Sequence, residues 1–449
     1  MPARALAYAV LKDWKPRGAF AGDRLAELIQ KREVSPQDRR LATELVFGVI
    51  RRQATLDALI APHVSRPRRK VETEIWTLLR IGTYQLAFLA GIAEHAAVHE
   101  TVELAKRNNK RWGGFVNAVL RKVAAALTDD VLSLPTADGI PLADGRYRLL
   151  TQKLFPDPEE NPAGYFAEAF SFPTWLAKRW AARFDADELF RLGRHFNAPA
   201  TLTLRINRLR STRDELLAEL KQAGIKAKAG RHGDAVRLAE TGRVEDLPGF
   251  ADGRLSVQDE TAMQAATLLD PQPGQRVLDL CAAPGTKTGH IAELMNDAGE
   301  IVAADVSEER LASVAENIAR LGLKSVQIAP IGPQGAGLPD GTFDAILLDV
   351  PCSNTGVLGK RPEVRWRITP ADLKELTVTQ TNLLSLALDR LRPAGRLVYS
   401  TCSIEPEENE QVVQSALAGR DGLSLAESRL HLPGDPSDGG FQALIVRSA

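Results

Sequence analysis

The sequence predicts a multidomain protein that combines an all-α bundle, a small α+β module and a doubly wound α/β domain. Three observations predict this class. The chain of 449 residues is too long for one hydrophobic core, because domains mostly contain ~100–200 residues. Residues 1–125 carry apolar side chains at helical three-to-four spacing, with no strand pattern between them. Residues 256–449 alternate strands with helices, which favours a mostly parallel sheet.

Changes of pattern along the chain predict four segments. The helical segment covers residues 1–126. Residues 127–169 are rich in Pro, Gly and Asp and predict a linker with one helix around residues 147–154. Residues 170–255 mix helical and strand patterns and predict the small α+β module. Residues 256–449 then form the α/β domain.

The net charge of zero conceals an asymmetry between the two ends of the chain. Of the 57 Lys and Arg residues and the 57 Asp and Glu residues, 22 and 12 fall in residues 1–125, a net charge of +10. The remainder holds 35 and 45, a net charge of −10. A basic module suggests a polyanionic partner such as nucleic acid, although basic helices can also be simply solvated.

Composition excludes several classes of protein. No stretch approaches the ~20 apolar residues that cross a membrane, and the N-terminus lacks the apolar core of a signal peptide, so a cytoplasmic protein is expected. Three cysteines, an odd number, argue against a disulfide framework. The absence of a CxxC pattern argues against a structural zinc site. We expect no metal, no membrane partner and a monomer.

The first strand of the α/β domain leads into DLCAAPGTKT (279–288), a loop of small residues. Open α/β sheets bind ligands at the carboxyl ends of their strands. The loop is neither GxGxxG nor a phosphate loop, which argues against a nicotinamide dehydrogenase. Asp305 ends the second strand, where a carboxylate suits two ribose hydroxyls. These features favour S-adenosylmethionine; the alternative is a tight strand-to-helix turn in which Asp305 caps the next helix.

Two cysteines follow later strands of the same sheet. Asp349 and Cys352 lie at the end of one strand, and Cys402 ends another. Because parallel strands end at one edge, both thiols and the carboxylate should face one cleft. A lone cysteine is usually a buried apolar residue, but two beside a cofactor loop indicate chemistry. A thiolate that adds to carbon 6 of cytosine makes carbon 5 nucleophilic enough to accept a methyl group, and an acid such as Asp349 can protonate N3.

Several motifs together resemble the RsmB/Sun-type RNA cytosine-5 methyltransferases that act on 16S ribosomal RNA. The helical segment is similar to the antitermination factor NusB. The resemblance therefore implies a NusB-like RNA-binding bundle, a small RNA-binding module and a Rossmann-like methyltransferase domain. The motifs are VQDETAMQAATLL (257–269), LDLCAAPGTKTGHIAEL (278–294), ILLDVPCSNTGVLGKRPEVRW (346–366), YSTCSIEPEENEQVV (399–413) and, in the helical segment, DRRLATELVFGVIRR (38–52), AVHETVELAK (97–106) and GFVNAVLRK (114–122).

The resemblance also implies residue roles. Cys402 would attack carbon 6, Cys352 would assist release of the methylated RNA, and Asp349 would belong to the catalytic site. The residues implied to line the S-adenosylmethionine site are Cys281, Ala282, Ala283, Pro284, Gly285, Thr286, Lys287, Asp305 and Asp349.

Two departures from the family pattern stand out. Thr286 replaces a glycine, which is tolerable where its φ is negative. The Gly-Asp expected after the third strand, whose Asp contacts the adenine side of the cofactor, is absent from APIGPQGAG (329–337), and Asp340 is a conceivable substitute.

Alternative interpretations remain open at this stage. The same chemistry could act on transfer RNA, or the chain could be a non-catalytic RNA-binding factor that keeps the fold. The acidic run at residues 405–410 is expected to be the solvated start of a helix. Arg365, Trp366 and Arg367 could contact RNA or simply pack a loop.

Overall fold

A computed structural model gives the fold of the chain and describes residues 1–239, 243–434 and 437–449. The α-helices are α1 Ala3–Leu11, α2 Ala21–Gln30, α3 Pro36–Arg51, α4 Gln53–Ile60, α5 Thr73–Phe88, α6 Glu94–Asn108, α7 Trp112–Ala126, α8 Pro162–Ala169, α9 Thr174–Ala181, α10 Ala186–Asn197, α11 Arg213–Gln222, α12 Glu260–Leu269, α13 Thr286–Leu294, α14 Glu308–Leu321, α15 Val364–Arg367, α16 Pro370–Asp389 and α17 Glu410–Leu417. The strands are β1 Leu127–Leu132, β2 Gly139–Pro141, β3 Tyr147–Leu150, β4 Leu202–Ile206, β5 Ala227–Ala229, β6 Ala235–Leu238, β7 Leu255–Val257, β8 Arg276–Leu280, β9 Glu300–Asp305, β10 Val326–Pro330, β11 Phe343–Asp349, β12 Leu391–Thr401, β13 Leu423–His431 and β14 Gly440–Arg447.

The chain folds as two compact units. Unit 1 comprises Met1–Pro199 and Leu358–Arg367. Unit 2 comprises Ala200–Val357 and Ile368–Ala449. No helix among the described residues is both long and apolar enough to span a membrane.

The first seven helices of unit 1 confirm the predicted all-α bundle. Their apolar faces share one core, in which Leu45, Leu78 and Leu120 are fully buried. Capping fixes where helices begin: the Ser35 side chain accepts a hydrogen bond from the Asp38 N–H at the start of α3. The three-to-four spacing of apolar residues in 1–125 therefore arises because each helix buries one face.

Residues 127–169 contain more regular structure than predicted. The helix predicted around residues 147–154 is wrong, because β3 pairs with β1 and β2 in a three-stranded antiparallel sheet. Tyr147 and Leu150 are buried by this pairing. A turn at Asp144 and Gly145, in which the Leu142 N–H donates to the Arg146 carbonyl at 2.8 Å, joins β2 to β3. The predicted domain boundaries themselves stay predictions.

The short helix α15 packs within unit 1 by means of a buried arginine. Arg365 is fully buried, and its guanidinium lies 4.1 Å from the centre of the Phe172 ring. It donates hydrogen bonds to the carbonyl oxygens of Arg51, Ser171 and Phe196. Loop packing is therefore the correct interpretation for Arg365.

Unit 2 begins with the small α+β module. Its four-stranded antiparallel sheet has the order β5-β6-β4-β7 and packs against α11. On β4, the fully buried Arg205 forms a bidentate ion pair with Glu293 of α13, with N–O distances of 2.8 and 3.0 Å. Arg205 also donates to the Thr286 carbonyl oxygen at 2.9 Å. The module thereby supports the first turn of α13.

The predicted doubly wound α/β sheet is confirmed. Its seven strands have the order β10-β9-β8-β11-β12-β14-β13, of which β8 to β12 are parallel. Successive residues of β11 face opposite layers: Ile346 and Leu348 pack with α16 and α17, and Ala345 and Leu347 pack with α12 and α13. β13, which was not predicted, adds an antiparallel edge.

Candidate active site

The residues predicted to bind the cofactor form a tight turn between β8 and α13. Cys281 has a φ of +69° and Gly285 a φ of +92°. A Cβ at Gly285 would lie 3.1 Å from the Val314 side chain, so both space and conformation require glycine there. Thr286 is the first residue of α13 and lies outside the left-handed region, so its replacement of a family glycine is accommodated.

Asp305 holds this turn from the neighbouring strand. Its carboxylate accepts hydrogen bonds from the Ala283 N–H at 3.2 Å and the Ser307 N–H at 3.0 Å. Arg310 completes the arrangement by donating to the Ala283 carbonyl oxygen at 2.7 Å. The N-cap of α14 is Ser307 rather than Asp305. Asp305 therefore braces the loop, and its contact with ribose stays a prediction.

Lys287 and Asp349 form an ion pair at the edge of the sheet. The Lys287 Nζ lies 2.6 Å from Asp349 Oδ2. Burial lowers the pKa of Lys287, but the charge and hydrogen bond of Asp349, with the charges of Cys402 and Asp279, bring it above its ordinary value. Lys287 therefore stays an ammonium group beside Asp349 and interacts electrostatically with Cys402.

Asp279 is a further carboxylate of the site that was not among the predicted site residues. It is buried on β8, and its Oδ2 accepts a hydrogen bond from the Thr288 hydroxyl at 2.6 Å. Its Oδ1 has no hydrogen-bond partner among the described residues. Burial raises the pKa of Asp279 to about 7, against the lowering effect of the Thr288 hydrogen bond. The sequence feature that could have identified Asp279 is an acidic residue within an otherwise apolar strand, directly before the cofactor loop.

The two late cysteines meet at the carboxyl ends of adjacent strands. Asp349 of β11 is level with Ser400 of β12, and the two loops that follow bring Cys352 Sγ within 3.1 Å of Cys402 Sγ. The Cys402 thiol can also donate to Asn354 Oδ1 at 3.2 Å. The sequence prediction that the two thiols face one place is therefore correct.

The three thiols differ in their surroundings. The hydrogen bond with Cys402 raises the pKa of Cys352 well above its ordinary value, and burial and the charges of Cys402 and Glu408 add to this. Burial, followed by the charges of Asp305 and Asp349, raises the pKa of Cys281. Cys281 thus lies among carboxylates within the cofactor loop and does not join the thiol pair.

A buried glutamate, Glu408, ties the two cysteine loops together. Its Oε1 accepts from the Ser353 N–H at 2.8 Å and from Gln380 Nε2 at 3.0 Å. Its Oε2 accepts from the hydroxyls of Ser353 and Ser403. Ser353 follows Cys352, and Ser403 follows Cys402, so one carboxylate fixes both loops.

The expectation that residues 405–410 are a solvated helix start is wrong. Glu405, Glu408 and Asn409 are fully buried, and α17 begins only at Glu410. Asn409 accepts from the Thr401 hydroxyl at 2.7 Å and donates to the Ser403 carbonyl oxygen at 3.0 Å. The acidic run is thus an internal brace for the end of β12. Its composition alone indicated solvent exposure, because a buried carboxylate requires donors that are distant in sequence.

Asp340 cannot replace the missing adenine-side carboxylate. Its carbonyl oxygen accepts a hydrogen bond at 2.9 Å from Arg276, the first residue of β8. Asp340 therefore lies at the amino edge of the sheet, opposite the loops that carry the thiols. In the segment 329–337, where the family carboxylate is absent, the chain follows the end of β9: the Ile331 N–H donates to the Asp305 carbonyl oxygen at 3.1 Å.

Comparison with known proteins agrees with this architecture. A family model described as 16S rRNA methyltransferase RsmB/F matches residues 266–442, NusB family matches residues 1–125, and an RsmF/B-like ferredoxin-like domain matches residues 172–245. A probable ribosomal RNA small subunit methyltransferase B from Synechocystis is 38% identical, covering 92% of this chain and 89% of the relative. The Bacillus subtilis protein of the same description is 33% identical, covering 92% and 87%.

Solved structures show the same fold. The crystal structure of PH0851 is 24% identical with a TM-score of 0.76, covering 100% of this chain and 99% of that one. A methyltransferase homologue from Pyrococcus horikoshii is 30% identical with a TM-score of 0.56, covering 63% and 98%. The cytoplasmic location, the monomeric state and the absence of a metal stay predictions. The chain belongs to the RsmB/F family of 16S ribosomal RNA methyltransferases, which have the fold of S-adenosylmethionine-dependent enzymes and take their methyl group from that cofactor.

Proposed function

We propose that the protein methylates carbon 5 of a cytosine in 16S ribosomal RNA through a covalent bond between Cys402 and carbon 6. The observation that carries this proposal is the 3.1 Å separation of Cys352 and Cys402 at the ends of adjacent strands. The Lys287 ammonium group interacts electrostatically with Cys402, so a positive charge lies near the sulfur that would attack carbon 6. The names of the relatives support ribosomal RNA of the small subunit as the substrate.

The residues present fit S-adenosylmethionine, which supplies an electrophilic methyl group on a sulfonium. The unpartnered Oδ1 of Asp279 can accept a hydrogen bond from the ammonium group of its methionine part. The turn from Cys281 to Gly285 lets a ligand approach the backbone closely, and Lys287, Asp305 and Asp349 lie around it.

The two thiols take different parts in the proposed reaction. The Cys402 thiolate forms a bond to carbon 6, and carbon 5 becomes the nucleophile that accepts the methyl group. The Lys287 ammonium group, 2.6 Å from Asp349, can supply through that carboxylate the proton that N3 takes up on addition and gives back on elimination. After methylation, carbon 5 loses its proton, the double bond between carbons 5 and 6 forms again, and the bond to Cys402 breaks.

Cys352 is suited to take up that proton. The largest contribution to its raised pKa is the hydrogen bond with Cys402. Once Cys402 is bonded to carbon 6, its sulfur no longer carries a negative charge, so the pKa of Cys352 falls. Cys352 is thus a protonated thiol before the addition. After it, the lower pKa lets Cys352 release that proton to solvent, and the thiolate then accepts the proton that carbon 5 loses.

Product identity tests the proposal. Wild-type protein is expected to transfer a labelled methyl group from S-adenosylmethionine to unmodified 16S ribosomal RNA, with 5-methylcytidine as the labelled nucleoside. Label in transfer RNA but not in 16S RNA would change the substrate and keep the chemistry. No label in either RNA despite saturable cofactor binding would contradict the proposal and favour a non-catalytic RNA-binding protein.

The role of Asp279 predicts a pH dependence of cofactor binding. Because its raised pKa is about 7, Asp279 is ionised above that pH and neutral below it. Affinity for the positively charged cofactor is expected to fall below pH 7, by up to about tenfold per pH unit. Titration calorimetry at several pH values compares wild type with Asp279→Asn, whose affinity should be weaker above pH 7 and approach that of wild type below it. Parallel profiles for the two proteins would contradict this role.

A further inference from the structure

We infer that residues 63–70 and the adjoining side of α7 in unit 1 form a binding surface for single-stranded RNA. This inference rests on the proposed function in that it takes RNA as the substrate. It adds a place of contact that neither the motifs nor the thiol site identifies. We call this region the 63–70 surface.

The 63–70 surface carries cations that are not neutralised. Arg66, Arg69 and Lys70 are exposed, and none of them forms an ion pair among the described residues. Lys122 of α7 is also exposed and lies near His63, since burial and then the charge of Lys122 lower the pKa of His63. Four positive groups therefore share one region. Such a region attracts a polyanion and releases its counterions on binding.

Some exposed cations elsewhere in unit 1 are paired. Arg24 and Lys31 both contact the Glu27 carboxylate, and Lys106 contacts Glu103 at 2.7 Å. The positive side chains of residues 1–125 therefore differ in how far carboxylates neutralise them. Those of the 63–70 surface are not neutralised and can bind an anionic ligand.

A cavity of about 360 Å³ lies within the surface, in the size range of ligand pockets. The acidic side chain that lines it is Asp57, whose oxygens accept hydrogen bonds from Trp76 Nε1 at 2.6 Å and from Arg80 at 2.6 and 2.7 Å. Because Asp57 is neutralised by Arg80, the cavity keeps the positive charge of Arg66 and Arg68. The lining residues are Asp57, Ala61, Val64, Ser65, Arg66, Pro67, Arg68 and Trp76.

Two aromatic rings support the arginines that line this cavity. The Arg68 guanidinium lies 4.7 Å from the centre of the Trp76 ring, and that of Arg66 lies 5.7 Å from the centre of the Phe115 ring. A guanidinium group held over a ring is a platform on which an unpaired base can stack. Stacking platforms beside unpaired cations fit single-stranded RNA, because bases in a duplex are already stacked on each other.

The test measures binding of a fluorescently labelled, single-stranded RNA of about 20 nucleotides by anisotropy at several salt concentrations. The full chain is used with the triple variant Arg66→Gln, Arg69→Gln and Lys70→Gln. Its matched control is Arg24→Gln, Lys31→Gln and Lys106→Gln, which removes the same charge from paired positions. The triple variant is expected to bind at least tenfold more weakly, with the salt slope reduced by about 2, as for three lost phosphate contacts. The control should keep the wild-type slope.

Equal losses in the two triple variants, or no loss in either, would overturn the inference. So would an equal loss of binding to a duplex RNA of the same length, since that result would indicate contact with phosphates alone. S-Adenosylmethionine binding should be unchanged in both variants, which reports correct folding. If wild type methylates no cytosine but only the 63–70 variant loses RNA affinity, the surface stands and the proposed function fails.

Discussion

Cys402→Ala is expected to abolish methyl transfer, whereas Cys352→Ala is expected to trap the RNA on the protein. Without the Cys402 sulfur, carbon 5 cannot become nucleophilic, so the rate should fall by at least about 1,000-fold. Without Cys352, Cys402 can still attack carbon 6. The Cys352 thiol, which lies 3.1 Å from the Cys402 sulfur and assists release of the RNA from it, is then missing. The measurement is methyl transfer together with denaturing gel electrophoresis of protein incubated with labelled RNA.

The double variant Cys352→Ala and Cys402→Ala is the control for this prediction. It should form no complex that survives denaturation, because the trap requires the Cys402 sulfur. A trapped complex in Cys402→Ala, with none in Cys352→Ala, would reverse the roles of the two thiols. Full activity in both single variants would eliminate the two-thiol mechanism.

Glu408→Ala is expected to produce the second largest effect, although Glu408 need not touch the RNA. The change leaves the buried Ser353 N–H without its acceptor and removes one acceptor from the Gln380 amide and from two serine hydroxyls. A buried donor left unsatisfied costs about 1–3 kcal/mol. Loss of the brace also frees the loops of Cys352 and Cys402, and a displacement of ~1 Å can cost ~100-fold in rate. We expect kcat to fall at least about 100-fold and the melting temperature to fall.

Two further variants separate positioning from general destabilisation. Glu408→Gln keeps one acceptor oxygen, and its amide can donate to the serine hydroxyls, so it should recover part of the activity. Glu410→Ala removes a carboxylate two residues later that lies at the start of α17, and it should retain near-wild-type kcat. Trapping by Cys352→Ala should be lost when Glu408→Ala is added. Wild-type kcat in Glu408→Ala would remove the positioning role.

The elements of the α/β domain were predictable because its central strands are buried on both faces. Apolar runs such as that of β11 therefore stand out between helices. β13 was missed because most of its residues are exposed at the edge of the sheet, where burial imposes no pattern. β2 and β3 were missed because strands of three and four residues are too short to reveal a period of two.

The site was predictable to the extent that it follows from strand order. The meeting of Cys352 and Cys402 follows from the rule that parallel strands end at one edge. The buried roles of Asp279 and Glu408 do not follow from it. A charged residue usually predicts a solvent-exposed side chain. Glu408 is buried instead because Ser353, Gln380 and Ser403 donate hydrogen bonds to its carboxylate, and only folding brings these donors together.

The position of Arg365 limits how this protein can be divided or recombined. Unit 1 is discontinuous in the chain, since Leu358–Arg367 is encoded far downstream of Met1–Pro199. A gene fragment that stops at Pro199 would lack the guanidinium that serves the carbonyl oxygens of Arg51 and Ser171. A single crossover after Pro199 would therefore separate unit 1 from its own segment Leu358–Arg367, so an exchange of the helical part has to carry both pieces.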